Sequence, residues 1–504
     1  MNETSESLAL SKPVRKYRPI TLWTCATLAF CALFVLASAP LAEAQGREQE
    51  TKQYTSMLQN IFEFIRSHYV EEVDAKTLYE GAMAGMFNSL GDPYSAFLPE
   101  SEMSDLNENV LQGSYGGVGL YISKPTGERP DGKPPYVEVA SPIEDTPGWR
   151  AGIQPGDLIV EINGESTDTL TMDEVLARLK GAPGVEVKLV IRRGAKLEFP
   201  VSLVRAVIEV PTVKHAMIGS AGYLRLISFS AMTVERTREA LAEFQRQNYR
   251  SLILDLRNNY GGLLMSAVGI SDLFLEGGVV VSVKSRIPSE NNTFNARRAT
   301  LVPSNIPVVV LINRGSASAS EIVAGALKDR GRAYLVGEKS FGKGSVQQVY
   351  PINPLRSGFK ITTSRYYTPS DVNIDKIGIP PDLEVSSPDI ITAEDAEKLS
   401  RLIAANRIPA FVEAHPEATA AQVDRLVQEL NGEFQLDAAL LRRLIRAEQN
   451  RTVIAPVYDL EYDVQLQEAV KILRDGSYES LLRTTKTLKE LQEESEEDES
   501  ALAS

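Results

Sequence analysis

Apolar positions recur at helical spacing near both ends of the chain and at strand spacing between them. Leu58, Ile61, Phe62 and Ile65 fall at i, i+3, i+4 and i+7 and predict one amphipathic helix. A second helical stretch, Leu78 to Leu90, is stopped by Gly91-Asp92-Pro93. From about residue 109 to 205, the strand-like runs Tyr136 to Ala140, Leu158 to Ile162 and Val185 to Arg192 alternate with glycine and proline turns, predicting a small β module. Residues 206–390 alternate strands with helices, and Ser251 to Leu256, Val279 to Val283 and Pro307 to Leu311 are apolar enough to be buried strands of an α/β core. Beyond Val385 the pattern turns helical again. Val423, Leu426, Val427 and Leu430 form one apolar face and Leu466, Ala469, Val470 and Leu473 another, and Glu493 to Glu499 reads as a disordered acidic tail.

The expected organisation is therefore multidomain α+β: residues 1–44 a signal or anchor, 45–108 helical, 109–205 the β module, 206–390 the α/β core, and 391–504 helical with the acidic tail. A chain of 504 residues exceeds what one core serves. Lys12, Arg15, Lys16 and Arg18 precede the apolar run Ile20 to Ala42, which Ala42-Glu43-Ala44 closes as a small-x-small cleavage pattern. The protein is thus expected to be exported, soluble after cleavage or held by an uncleaved anchor, since the run also has the roughly 20 residues a membrane span needs. Cys25 and Cys31 both lie in that run, so cleavage leaves no thiol for a disulfide or a thiolate nucleophile. The three histidines are scattered without ligand spacing, so no metal site is expected. A formal charge of -14 supplies no cationic field for phosphate backbones and argues against a nucleic-acid partner.

The β module carries a specific signal. Tyr115-Gly116-Gly117-Val118-Gly119-Leu120 can turn backbone N–H groups toward a carboxylate, although alone it reads as a turn. Ala151 to Gly164, reading AGIQPGDLIVEING, resembles the corresponding stretch of PDZ domains. That resemblance implies capture of a protein carboxy terminus by strand addition, with Gly117, Val118, Gly119 and Leu120 forming the carboxylate loop. Val175, Leu176 and Leu179 on the following helix would form the opposite wall, and core packing accounts for the same residues equally well.

In the α/β core the strand from Pro307 runs through Asn313-Arg314-Gly315 into Ser316-Ala317-Ser318-Ala319-Ser320-Glu321. A strand, tight turn and helix can expose a hydroxyl where helix amides favour negative charge. Ser318 and Glu321 also fit a capping box, and nothing in the spacing chooses among the three serines. No histidine lies within ninety residues of the turn, whereas Phe341-Gly342-Lys343-Gly344 sets a lysine between glycines. A lysine acting as a base near neutrality needs its pKa lowered by roughly 3 units, about 4 kcal/mol, which demands burial.

The two segments and their spacing resemble the carboxy-terminal processing peptidases of serine protease family S41. The resemblance spans about Tyr69 to Val385, including Gly91 to Ser95 and Gly378 to Asp382. It implies a PDZ module on an α/β, crotonase-like protease core; Ser318 as nucleophile, Lys343 twenty-five residues later as general base, and Gln347 orienting the lysine. It further implies an oxyanion hole from Ala319 and one of Gly261 and Gly262, without cofactor or metal. Tyr260 stands where the family usually has proline. The expected partners are protein substrates held by their tails and, from the amphipathic helices at both ends, an adaptor or further copies of the chain; the expected location is a bacterial periplasm or the inner membrane. The competing expectations are an inactive PDZ scaffold and a latent protease that an adaptor activates. Asp329, eleven residues after Ser318, is read as structural, at the end of the helix.

Overall fold

The computed structural model describes residues 48–124, 134–194, 197–298, 300–353, 355–386, 393–450 and 456–503. The run Ile20 to Ala42 lies outside them. No described helix is long and apolar enough to cross a membrane. The chain divides into two compact units, Met1–Ser89 and Leu90–Ser504.

In the first unit α1 (residues 48–68) contains the predicted helical face, and α2 (Ala75–Asn88) starts where the Asp74 carboxylate accepts the Thr77 N–H at 3.1 Å. Leu58 and Ile61 are exposed along with Tyr54, Met57 and Phe64, leaving α1 with an uncovered apolar stripe.

The second unit opens with β1 (Ala96–Leu98), α3 (Glu100–Leu106) and a π-helical turn, Asn107–Gln112. In the β module, β2 (Ser114–Gly117) leads to β3 (Leu120–Ser123), β4 (Val137–Pro142), the short α4 (Pro147–Arg150), β5 (Leu158–Ile162), β6 (Glu165–Ser166), α5 (Met172–Leu179), β7 (Glu186–Arg193), β8 (Leu197–Val204) and β9 (Ala206–Glu209). The sheet order is β3-β4-β5-β7-β8, with β6 on β5 and β2 paired separately with β9. Alternation along β7 sends Val187, Leu189 and Ile191 inward, where they meet Val175 and Leu179 of α5. Thr171 and Glu174 close a capping box that starts α5.

The core contains β10 (Val213–Ile218), β11 (Ala221–Leu226), α6 (Thr233–Arg246), β12 (Ser251–Asp255), α7 (Leu264–Asp272), β13 (Gly278–Ser285), β14 (Asn292–Ala296), β15 (Val308–Ile312), α8 (Ala319–Asp329), β16 (Tyr334–Gly337), β17 (Ser345–Ile352), β18 (Ser357–Tyr367) and β19 (Leu383–Glu384). One sheet runs β10-β11-β12-β15-β16-β19 and is parallel from β11 onward. Every residue of β12 and β15 is buried, so β15 reads as an unbroken apolar run and β12 is polar only at its ends, Ser251 and Asp255: helices cover both sheet faces. The Val279 to Val283 run lies in β13, which belongs to a second, antiparallel sheet, β1-β18-β13-β14 with β17 also on β18. Burial gave this run the apolar pattern of its parallel neighbours without fixing its sheet.

The last helices divide by what they cover. α9 (Ala393–Ala404), α10 (Arg407–Ala414), α11 (Ala420–Phe434) and α12 (Ala438–Gln449) share a core of their own. α13 (Val464–Arg474) and α14 (Tyr478–Leu482) pack Leu466, Ala469, Val470 and Tyr478 against Ile253, Val309 and Leu311 of the parallel sheet. The acidic tail departs from expectation, because it forms part of a helix, α15 (Leu488–Ala503), rather than disordered chain. Leu488 joins the central core, the Glu490 carboxylate accepts the Thr487 N–H at 2.7 Å, and Lys486 pairs with Glu494 at 2.6 Å. An anchored first turn removes the nucleation cost that an isolated acidic helix would face.

Candidate active site

Adjacent parallel strands β12 and β15 deliver their following loops to the same carboxyl edge of the sheet, where open α/β folds place their sites. The β12 loop, Leu256 to Leu263, and the β15 loop, Asn313 to Ser318, are stitched together. Asn258 N–H donates to Asn313 Oδ1 and Asn313 Nδ2 to Asn258 Oδ1, both at 2.9 Å, while Ala317 N–H donates to the Asn259 carbonyl at 3.0 Å.

The three serines meet different fates. Ser316 is fully buried and donates to the Leu256 carbonyl at 2.9 Å. Ser320 is fully buried and donates to the Asn259 carbonyl at 2.7 Å. Ser318 alone is partly exposed, at the N-terminus of α8, with φ of +56° and ψ of -113°. A left-handed backbone on a non-glycine residue costs on the order of 1–3 kcal/mol and persists where surrounding contacts impose it.

Those contacts converge on Glu321. Its buried carboxylate accepts the Ser318 N–H at 2.8 Å, the Gly342 N–H at 2.7 Å, the Lys343 N–H at 2.9 Å and the Ser340 hydroxyl at 2.6 Å. Burial raises its pKa more than these hydrogen bonds lower it. The sequence offered Glu321 only as a helix cap. The structure uses one side chain to join the serine turn to the lysine loop, and only the S-x-x-E spacing could have signalled it.

Lys343 is held by backbone on both sides, since the Tyr366 hydroxyl donates to its carbonyl. Its ammonium pKa is lowered, first by burial and then by Lys360, against the opposing pull of Asp92 and Glu321. Lys343 Nζ makes no hydrogen bond to Ser318 among the described residues; it lies 4.6 Å from the centroid of the Tyr94 ring. Gln347 is also turned elsewhere, its amide donating to Ser345 Oγ and Thr362 Oγ1, each at 3.0 Å.

The two glycines are distinguishable here. Gly261 has φ of +99°, and a Cβ on it would lie 2.8 Å from Ser318 Cβ and 2.9 Å from Ala319 N, so the close approach excludes a side chain. Its N–H is already donated to Asn259 Oδ1 at 2.9 Å. The N–H groups of Gly262 and Ala319 have no hydrogen-bond acceptor among the described residues. Tyr260 is 78% exposed and its side chain makes no hydrogen bond to this network among the described residues.

In the β module the carbonyl of Val118 accepts the Gly148 N–H at 2.8 Å and that of Gly119 accepts the Ile143 N–H at 2.9 Å. The N–H groups of Val118 and Gly119 have no acceptor among the described residues, although Gly117, Val118, Gly119 and Leu120 are buried. Buried unpaired amides are costly and suit an incoming carboxylate. β3 is the edge strand beside them. Val175 and Leu179 point into the core, and Leu176 is left half-buried.

Comparison with known proteins finds three matching family profiles. A profile of peptidase family S41 matches residues 220–385, a PDZ domain profile residues 138–193, and a profile of the activating protease CtpB N-terminal domain residues 24–101. The carboxy-terminal-processing protease of Bartonella bacilliformis is 37% identical over 368 residues, covering 71% of this chain and 82% of that protein. Carboxy-terminal processing protease CtpB of Bacillus subtilis is 33% identical over 359 residues, covering 70% and 72%. Among solved structures, the photosystem II D1 C-terminal processing protease aligns over 64% of this chain and 86% of its own, with 30% identity and a TM-score of 0.38.

Proposed function

The chain belongs to peptidase family S41 and is a serine-type peptidase, and from that premise we propose that it is an exported carboxy-terminal processing endopeptidase working through Ser318 and Lys343. The observation that carries the assignment is the Glu321 carboxylate, which holds the backbone of both residues at one point. Neutral Lys343 takes the Ser318 proton, Ser318 Oγ attacks the substrate carbonyl, and the N–H groups of Ala319 and Gly262 receive the oxyanion. Gly262 is preferred over Gly261 because the Gly261 N–H is already spent on Asn259. Collapse of the intermediate leaves an acyl-enzyme, and Lys343 then activates the water that hydrolyses it. Gln347 orients the lysine once its amide leaves Ser345 and Thr362.

The PDZ module grips the substrate tail by adding it to β3, with Val118 and Gly119 amides on the terminal carboxylate and Leu176 beside the last side chain. Cleavage near chain ends or processive degradation of envelope proteins follows from that grip. The uncovered stripe on α1 supports association between copies of the chain. Incubating the protein with an unfolded substrate tests the assignment: Ser318→Ala and Lys343→Ala should each abolish fragment release, and undiminished cleavage by either removes that residue from the mechanism. A latent state is the second reading, favoured by the separation of Lys343 Nζ and Gln347 from Ser318. Full activity of the isolated wild-type protein, without any partner, would count against it.

A further inference from the structure

The turn Asp92 to Ser95 sits beside the lysine loop without a role in the chemistry above. It is built firmly: Asp92 accepts the Tyr94 N–H at 3.0 Å and the Ser95 hydroxyl at 2.5 Å, and Ser95 Oγ in turn accepts the Thr362 N–H at 2.9 Å. Pairing of β1 with β18 fixes the turn over β18, since Ala96 lies opposite Lys360. Tyr94 is thereby presented face-on to Lys343 Nζ at 4.6 Å. The same Thr362 that anchors the turn through its N–H holds the Gln347 amide through its hydroxyl. One residue of β18 thus anchors the lysine's perch and, together with Ser345, holds the lysine's orienting partner.

We infer that Tyr94 is a positioning residue that parks the Lys343 ammonium away from Ser318, and that the Asp92–Ser95 turn with Thr362 forms the latch of a resting state. This inference rests on the assignment of Ser318 and Lys343 as nucleophile and base. An ammonium is drawn to the negative face of an aromatic ring and a neutral amine is not. Losing the proton therefore weakens the hold and frees the amine for Ser318. The other groups facing Lys343 are Asp92, Glu321 and Lys360, with Asp375 near Tyr94 and accepting the Gly344 N–H at 3.2 Å. None of them is changed by altering the ring.

The test replaces Tyr94 with phenylalanine and then with di- and trifluorinated phenylalanines, which drain the ring face while keeping its shape and the fold. The readout is the pH dependence of Ser318 acylation by an activated ester. Phenylalanine should leave the midpoint of the rising limb near its wild-type position. Fluorination should move it stepwise downward by roughly half a pH unit in total, raising the rate about threefold on the acid side. Thr362→Val, which removes the hydroxyl but keeps the N–H, should raise acylation across the whole pH range by removing one of the two acceptors that hold the Gln347 amide. An unchanged midpoint through the fluorinated series, or an upward shift, overturns the parking role. Slower acylation by Thr362→Val overturns the latch. Ser318→Ala and Lys343→Ala run in parallel judge the underlying assignment separately, because they must lose acylation whatever Tyr94 does.

Discussion

Ser318 keeps a backbone conformation that only a few side chains tolerate, and Glu321 is what enforces it. Glu321→Ala would strand four donors, three of them backbone amides, so kcat should fall by on the order of 10²-fold with a stability loss of about 2–4 kcal/mol, measured by ester hydrolysis and urea titration. On the proposed mechanism Lys343 carries the pH dependence. Burial lowers its pKa, so the unfolded chain holds this proton over a pH range in which the folded protein has released it. Folding is therefore penalised most below the folded pKa, and the penalty fades as pH rises into the ordinary lysine range. Lys343→Met should accordingly be more stable than wild type at pH 7, with the gap closing toward pH 11 in denaturant titrations. Activity should run the other way, rising with pH through a limb centred below the usual lysine value. Tyr260 takes no part in this network, so Tyr260→Ala should change unfolding free energy by no more than about 0.5 kcal/mol and leave acylation within a few-fold of wild type. A large loss of acylation would make the tyrosine part of the oxyanion turn. At this scale the sequence located the serine turn and the lysine but could not separate Ser316, Ser318 and Ser320, because the carbonyl partners of the two buried serines are supplied by a loop some sixty residues away.

Helices α5 and α8 each combine a packing face with a site, and substitution can separate the two. On α5, Val175→Ala should cost roughly 1–3 kcal/mol by leaving a cavity, whereas Leu176→Lys should spare stability and weaken capture of a peptide ending in an apolar residue. Fluorescence polarisation of a labelled tail peptide distinguishes them; equal weakening by both at matched folded fraction would deny Leu176 a contact role. On α8, Ser318 and Asp329 lie at opposite ends of eleven helical residues, about 16 Å apart by helical rise. Asp329 accepts the Ser370 hydroxyl at 2.6 Å and the Leu488 N–H at 2.7 Å, tying the far end of α8 to α15. Asp329→Ala should therefore lower stability by about 1–3 kcal/mol while the folded fraction keeps its kcat. The helical faces of α5, α11 and α13 were legible because amphipathic spacing is local. The helicity of the acidic tail was not, because it depends on a docking site on α8 that no neighbouring residue encodes.

Across the whole unit, a charged link ties the helical region from residue 393 onward to the carboxyl edge of the parallel sheet. Arg257, directly beyond β12, bonds Asp255 at 2.6 Å and Asp463 at 2.6 Å, and Asp463 in turn caps α13. α13 and α14 also cover Ile253, Val309 and Leu311, so ending the chain at residue 455 should expose the lower sheet face and yield aggregates in size-exclusion chromatography. The sequence by itself determined what local periodicity and short motifs can encode: helices at the ends, a PDZ-type β module, strand-turn-helix segments in an α/β core, and the residue types for serine chemistry. Tertiary structure alone decided which serine is reachable, which glycine amide lacks an acceptor among the described residues, that Glu321 joins two loops, and that Lys343 rests on Tyr94. Each of these depends on chain segments far apart in sequence meeting at the carboxyl edge of one sheet, where burial and hydrogen-bond competition are set by neighbours that periodicity does not record.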